Sequence, residues 1–331
     1  MTHAVPRIVA LALTALTAGA LITACGGSSS GDSALFPESA ASIRGDVVPV
    51  ITNQDLAVGD NRVTIHLSDA NSNPVLDAAV HLRFFDLNGQ QPRAHGEADA
   101  RFIPMQLSYV DETANDAKTP AGSDGAYVVR ANFDAPGNWG VQIAVTRGGK
   151  ADPPLPFRFN VLPKPLEPAI GDPAPASRQE TLSTAASIDQ IDTSSPPRPQ
   201  MHGVTIADAL TTGRPLVIAF ATPAFCQTRT CGPVMDTVMD PLYAKYKDRA
   251  TFIHIEPYQL PQMRAANQQE LVPAMLDWRL STEPWIFVVD RAGRVAGKFE
   301  GIVAPDEVEQ ALVRAIDAPL GKTAPAPTVT P

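Results

Sequence analysis

Cysteine is scarce in this chain, three in 331 residues, which excludes the disulfide-dense framework of small secreted modules and any four-cysteine metal knuckle. Charge is also thin, at 18% of residues, and the 26 basic side chains are outnumbered by 35 acidic ones. The resulting net charge of −9 argues against a nucleic-acid partner, which would need a basic surface to neutralise phosphates. No apolar run reaches the roughly 20 residues that a membrane-spanning helix requires. Proline, by contrast, is abundant at 32 residues, above the average usage of about 5%, so long linkers or tails are expected. With 44% hydrophobic residues the chain can still build cores, and its length suggests about two globular units plus appendages.

The start of the chain carries Arg7, an apolar stretch from Ile8 to Ile22, and then Leu21-Ile22-Thr23-Ala24-Cys25 ahead of Gly26-Gly27-Ser28-Ser29-Ser30-Gly31. The stretch is short and stops in small polar residues, which fits cleavage better than spanning. The segment resembles the bacterial lipoprotein signal. That resemblance implies a signal peptide over 1–24, lipid attachment (palmitate among the acyl groups) at Cys25, and a cell-envelope protein held to the membrane outside the cytoplasm. Removing Cys25 from the count leaves one pair, Cys226 and Cys231, in a compartment where thiols can be oxidised.

Residues 25–45 are Gly-, Ser- and Ala-rich and read as a flexible tether. Over 46–162 the pattern has period two: Val63, Ile65 and Leu67 alternate with polar neighbours, and Val80, Leu82 and Phe84 do so after the turn Asn71-Ser72-Asn73-Pro74. Tyr127 to Phe133 and Trp139 to Val145, joined by Asp134-Ala135-Pro136-Gly137, read as a hairpin, so a β-sandwich is expected here. His66 and His81 alternate with the inward positions and are expected to face solvent. Residues 163–202 read as a Pro/Ala/Ser-rich linker. From 203 to 318 helical and strand patterns alternate, with apolar strands at Leu216–Ala221, Thr251–Glu256 and Trp285–Asp290, which predicts an α/β unit. Residues 319–331 read as a disordered tail.

Two further resemblances follow. Gly125-Ala126-Tyr127 and Pro136-Gly137-Asn138-Trp139 are similar to motifs of immunoglobulin-like modules of the FixH and YtkA type. Phe220-Ala221-Thr222, the cysteine loop, the Gly232-Pro233 helix and Glu283-Pro284 before a strand resemble the thioredoxin fold as seen in extracytoplasmic proteins of the TlpA and Sco kind. The expected class is therefore an N-terminal immunoglobulin-like sandwich plus a C-terminal α/β thioredoxin-like domain. The resemblance implies that Pro284 is a cis-proline beside the cysteines and that Thr282 and Glu283 offer backbone groups to an extended substrate.

Thioredoxins carry Cys-x-x-Cys, whereas four residues separate Cys226 from Cys231. Residues five apart on one helix differ by about 140° of rotation, so both sulfurs cannot share a helix and meet. Pro233 is tolerated only in a first turn, which starts the helix near Thr230 and leaves Cys226 in the preceding loop. A disulfide is then possible, either redox-active or structural. Cys226 sits where the thioredoxin nucleophile would be. Cys231 sits at a helix N-terminus, where a thiolate is also favoured, and Arg229 could lower either pKa.

The leading expectation is a thiol-disulfide oxidoreductase or redox sensor that needs no cofactor or metal and acts on extracytoplasmic thiol or disulfide proteins. A second is a Sco-like copper-binding metallochaperone, since soft sulfur suits Cu(I) and Met235 and Met239 follow Cys231 at helical spacing; no histidine occupies Asp277 to Pro284, and His254 lies on a strand. A third is a peroxidase, from the resemblance of Thr222-Pro223-Ala224-Phe225-Cys226 to a peroxiredoxin loop. A fourth is a non-catalytic interaction protein of the envelope.

Overall fold

The computed structural model describes Phe36 and residues Asp46–Ala318. The leader, Cys25, nearly all of the expected tether and the tail lie outside the described residues, so nothing among those residues bears on lipid attachment. Among them no helix is long and apolar enough to cross a membrane.

Two antiparallel sheets form the first half. One has the order β1 (Val47–Ile51), β2 (Gly59–Asp69), β6 (Ala117–Phe133), β5 (Arg101–Asp111). The other runs β4 (Arg93–Asp99), β3 (Ala79–Asp86), β7 (Gly137–Arg147), with the short β8 (Lys150–Ala151) and β9 (Leu155–Val161) both paired to β7. Val63, Ile65 and Leu67 of β2 meet Val80, Leu82 and Phe84 of β3 in a core completed by Phe133 and Trp139, as strands with one inward face should. Gly125 on β6 lies under the Phe102 ring, 2.4 Å from where a Cβ would stand, so only glycine allows that approach. Tyr127 donates from its hydroxyl to the Val75 carbonyl at 2.9 Å.

The third sheet has the order β11 (Thr251–Ile255), β10 (Leu216–Phe220), β12 (Trp285–Val289), β13 (Val295–Glu300). Every residue of β10 and β12 is buried, which explains their continuous apolar runs. Around this sheet lie α1 (Ile206–Leu210), α2 (Cys231–Val234), α3 (Asp240–Tyr246), α4 (Leu260–Ala266), α5 (Pro273–Asp277) and α6 (Pro305–Asp317). One π-helical turn, Met235–Met239, joins α2 to α3.

The expected class, an immunoglobulin-like sandwich plus an α/β thioredoxin-like domain, is corrected by this architecture. The described chain is mainly β: thirteen strands in three sheets, against helices of four to seven residues, the 13-residue α6 apart. Only β10 and β11 pair in parallel; β12 and β13 form an antiparallel hairpin through Arg291-Ala292-Gly293.

The two halves also share a core. Ile103 and Met105 of β5 and Ala126 and Val128 of β6 pack with Cys226, Cys231, Val234 and Val308, so the outer face of the first sheet is covered too. Arg62 and Thr64, on that face, are buried. The Arg62 guanidinium donates to both Glu307 carboxylate oxygens, at 2.8 and 3.0 Å, and to the Ile302 carbonyl at 2.8 Å. Residues 163–202, read as a linker, run as ordered backbone with Ser177, Thr181, Asp192, Thr193, Ser194, Arg198 and His202 buried. Hydrogen bonds hold these groups in place of apolar packing, which a composition low in large hydrophobics cannot announce.

Candidate functional site

The cysteine loop begins where β10 ends. Cys226 N donates to the Thr222 carbonyl at 3.0 Å and Arg229 N to the Cys226 carbonyl at 3.1 Å, forming two tight turns. Arg229 has φ of 58°, a left-handed conformation that reverses the loop into α2. Cys231 opens that helix and Pro233 stands in its first turn, where a missing N–H costs nothing.

This path brings Cys226 Sγ and Cys231 Sγ to 2.6 Å. Both are free thiols, so the expected disulfide is corrected to a dithiol. Cys226 Sγ also faces the Cys231 amide at 3.4 Å, the Thr228 hydroxyl at 3.3 Å and the Thr230 hydroxyl at 3.8 Å. The Cys231 S–H hydrogen bond, aided by Thr228 and by the Cys231 and Thr230 amides and working against burial, brings the Cys226 pKa down to about 6. Burial first, then the neighbouring Cys226 sulfur, pushes Cys231 well above its usual value. Donors converge on Cys226 Sγ and favour its thiolate form, while burial favours the protonated form of Cys231.

Glu283 acts electrostatically on this pair. Burial and the Cys226 charge raise its carboxyl to about 7, while the Tyr258 hydroxyl donates to it at 3.0 Å. The Glu283–Pro284 peptide is cis. Thr282, expected to offer backbone groups to a substrate, directs its side-chain hydroxyl to Glu300 at 2.7 Å and accepts from Trp285 Nε1 at 2.9 Å. The Arg229 guanidinium, expected to tune a sulfur, lies over the Tyr109 ring, 4.7 Å from its centroid. Met235 and Met239 are fully buried in the shared core and give no open sulfur stripe. His81 pairs with Asp99 at 2.8 Å and His66 approaches Asp124 at 3.7 Å.

The dithiol is covered by the first half of the chain. Edge strand β5 crosses the cysteine loop, Ser108 N donating to the Arg229 carbonyl at 3.3 Å and Val110 N to the Pro223 carbonyl at 3.2 Å. From β6, Lys118 pairs with Asp236 at 2.7 Å. Cys226 is only 5% exposed and Cys231 0%. A cleft of about 810 Å³ runs beside this contact, lined by Tyr109, Glu112, Thr193, Ala224, Phe225 and Arg264 among others.

A second cluster escaped sequence reasoning. Asp192, His202 and His254 meet in the interior, with every ligand-capable atom within 4.8 Å of the others. His254 Nδ1 is 3.2 Å from His202 Nε2 and 3.6 Å from Asp192 Oδ1, and His202 Nε2 is 3.2 Å from Asp192 Oδ2. Burial holds His254 neutral, near 4. Glu256, just past the end of β11, accepts from Thr193 N and Thr193 Oγ1, both at 2.7 Å, and Thr193 Oγ1 in turn accepts from Ala224 N at 3.1 Å. The cluster thus abuts the cysteine loop. Its three members are ten and fifty-two residues apart in sequence, and two lie in the stretch read as a linker, so no local motif marked them.

No family model matches the chain, and no curated protein matches it. Among solved structures it is similar to a DUF4426 family protein from Pseudomonas aeruginosa, at 15% identity over 37% of this chain and 96% of that one, with a TM-score of 0.23. It is also similar to the PmoD soluble domain from a Methylocystis species, at 16% identity over 36% of this chain and 94% of that one, with a TM-score of 0.19. The resemblance to thioredoxin-like and FixH- or YtkA-like proteins is corrected by the architecture itself: the described chain is mainly β, with short helices.

Proposed function

We propose that the site performs thiol-disulfide exchange on protein partners outside the cytoplasm, the location itself being read from the leader ahead of Cys25. The observation that carries this reading is the contact of two free thiols at 2.6 Å with opposite pKa shifts. A low-pKa thiolate beside a high-pKa thiol is what attack followed by resolution requires.

The Cys226 thiolate attacks one sulfur of a partner disulfide. A Cys226–partner S–S bond forms, the partner's S–S bond breaks, and the departing partner thiolate takes up a proton. With Cys226 no longer anionic, the Cys231 proton is easier to lose, and Glu283, which acts on Cys231 electrostatically, is the base assigned to take it up. The Cys231 thiolate then attacks Cys226 Sγ, forming the Cys226–Cys231 bond and expelling the second partner thiolate. The partner leaves reduced, and this chain leaves oxidised by two electrons; an external dithiol returns it to the starting state. Both sulfurs are buried under β5, so exchange also requires the β5 contact to loosen or the partner to enter from the adjoining cleft.

Equilibrating the purified chain in glutathione redox buffers tests this. Reversible, two-electron interconversion of dithiol and disulfide supports exchange, whereas thiols that no buffer oxidises, or a disulfide that no buffer reduces, would exclude it.

A further inference from the structure

From the geometry of Asp192, His202 and His254 we infer a binding site for a first-row divalent cation, zinc by preference, distinct from the dithiol. Two imidazoles and a carboxylate are a hard-to-borderline donor set suited to Zn²⁺. With metal–ligand bonds of about 2.1 Å, the ligand atoms of a tetrahedral site stand about 3.4 Å apart. The two imidazole nitrogens stand 3.2 Å apart, close to that edge, and Asp192 approaches His202 Nε2 with Oδ2 at 3.2 Å and His254 Nδ1 with Oδ1 at 3.6 Å, one donor atom of each residue lying within 4.8 Å of the others.

The surroundings orient each ligand. His254 Nε2 lies 2.9 Å from the Ala221 carbonyl; as the donor of that bond it keeps its proton there and turns the Nδ1 lone pair toward His202 and Asp192, as metal-bound histidines do when a carbonyl holds their other ring nitrogen. The Asp192 carboxylate is fixed by the Ser194 amide at 2.8 Å and the Arg198 amide at 2.6 Å. A carboxylate with 0% side-chain exposure is costly to keep without a cation beside it.

A second observation points to a ligand. Glu256, its carboxyl met by Thr193 and by the Thr222 hydroxyl, lines with His202 and His254 a cavity of about 420 Å³ that adjoins the three ligand groups. A water in the fourth coordination position would enter from that cavity. The cation would tie segment 188–202 to β11 and, through Thr193, to the cysteine loop.

The test uses the full chain with Cys25→Ser, Cys226→Ser and Cys231→Ser, so that thiols cannot compete, stripped with a chelator and titrated with Co²⁺. One equivalent is expected per chain, with d–d absorption free of thiolate-to-cobalt charge transfer, displaced by Zn²⁺, and with a raised melting temperature. His202→Gln in the same background should weaken Co²⁺ binding at least tenfold. Absence of stoichiometric binding in the dithiol-free chain overturns the site, as does binding unchanged by His202→Gln. If that variant fails to fold, paramagnetically shifted imidazole signals in the Co²⁺-loaded parent decide: their absence refutes histidine ligation.

Discussion

Replacing Cys231 with alanine isolates the contact that makes Cys226 a thiolate. The Cys231 S–H bond to Cys226 Sγ is the largest influence lowering Cys226 to about 6 from an ordinary 9.0. A hydrogen bond to a charged group contributes about 1.5–3 kcal/mol, and one pKa unit corresponds to about 1.4 kcal/mol. Cys231→Ala should therefore raise the Cys226 midpoint by about one to two units, because Thr228 and the Cys231 and Thr230 amides remain. At pH 7 the thiolate fraction would drop from about 90% to about 10–50%. Thiolate absorbance followed against pH, with alkylation rate as a second readout, measures the midpoint directly. A midpoint that stays near 6, or moves down, would refute the assignment of Cys231 as the donor.

Other outcomes follow from the same geometry. Arg229→Ala should leave the Cys226 midpoint where it is, because the guanidinium lies over Tyr109 and not on the sulfur; a rise of a full unit would place that charge at the site after all. Glu300 is buried and raised to about 7 by that burial. Its folded pKa exceeds its unfolded value of 4.5, so the stability it supports is complete at low pH and is lost as pH climbs through about 7, with a slope of up to about 1.4 kcal/mol per pH unit. Glu300→Gln should flatten that loss in denaturant titrations between pH 4.5 and 7, and an unchanged pH profile would contradict the burial argument. Gly125→Ala puts a methyl into the Phe102 ring and 2.8 Å from the Ile103 carbonyl, for an overpacking cost of about 1–3 kcal/mol read as a lowered melting temperature.

Parts of this structure were legible in the sequence because a short-range rule governs them. The unbroken apolar run Leu216–Phe220 is a strand buried on both faces, and Pro233 restricts where its helix can begin, which is at Cys231. Long-range packing was not legible. Period two in β2 identified Val63, Ile65 and Leu67 as inward, but no rule announced that Arg62 and Thr64 on the opposite face would also be covered. The expected fold class fails for a related reason: alternating helix and strand signals do not show how short the helices are, and the described chain is mainly β, with thirteen strands in three sheets. Residues 163–202 lack the aromatic and aliphatic density that marks an ordered segment, yet Asp192, Thr193, Arg198 and His202 anchor it through polar contacts. Arg229 was one residue from a cysteine helix and still pointed elsewhere, because its left-handed backbone turns the side chain onto Tyr109.

The division of labour between the two sulfurs is the centre of this account, and mass spectrometric mapping of adducts formed with a peptide disulfide tests it most directly. In Cys231→Ala a stable mixed disulfide should accumulate on Cys226, whereas Cys226→Ala should leave Cys231 unmodified over the same interval. Rapid adduct formation at Cys231 in the chain lacking Cys226 would contradict the account.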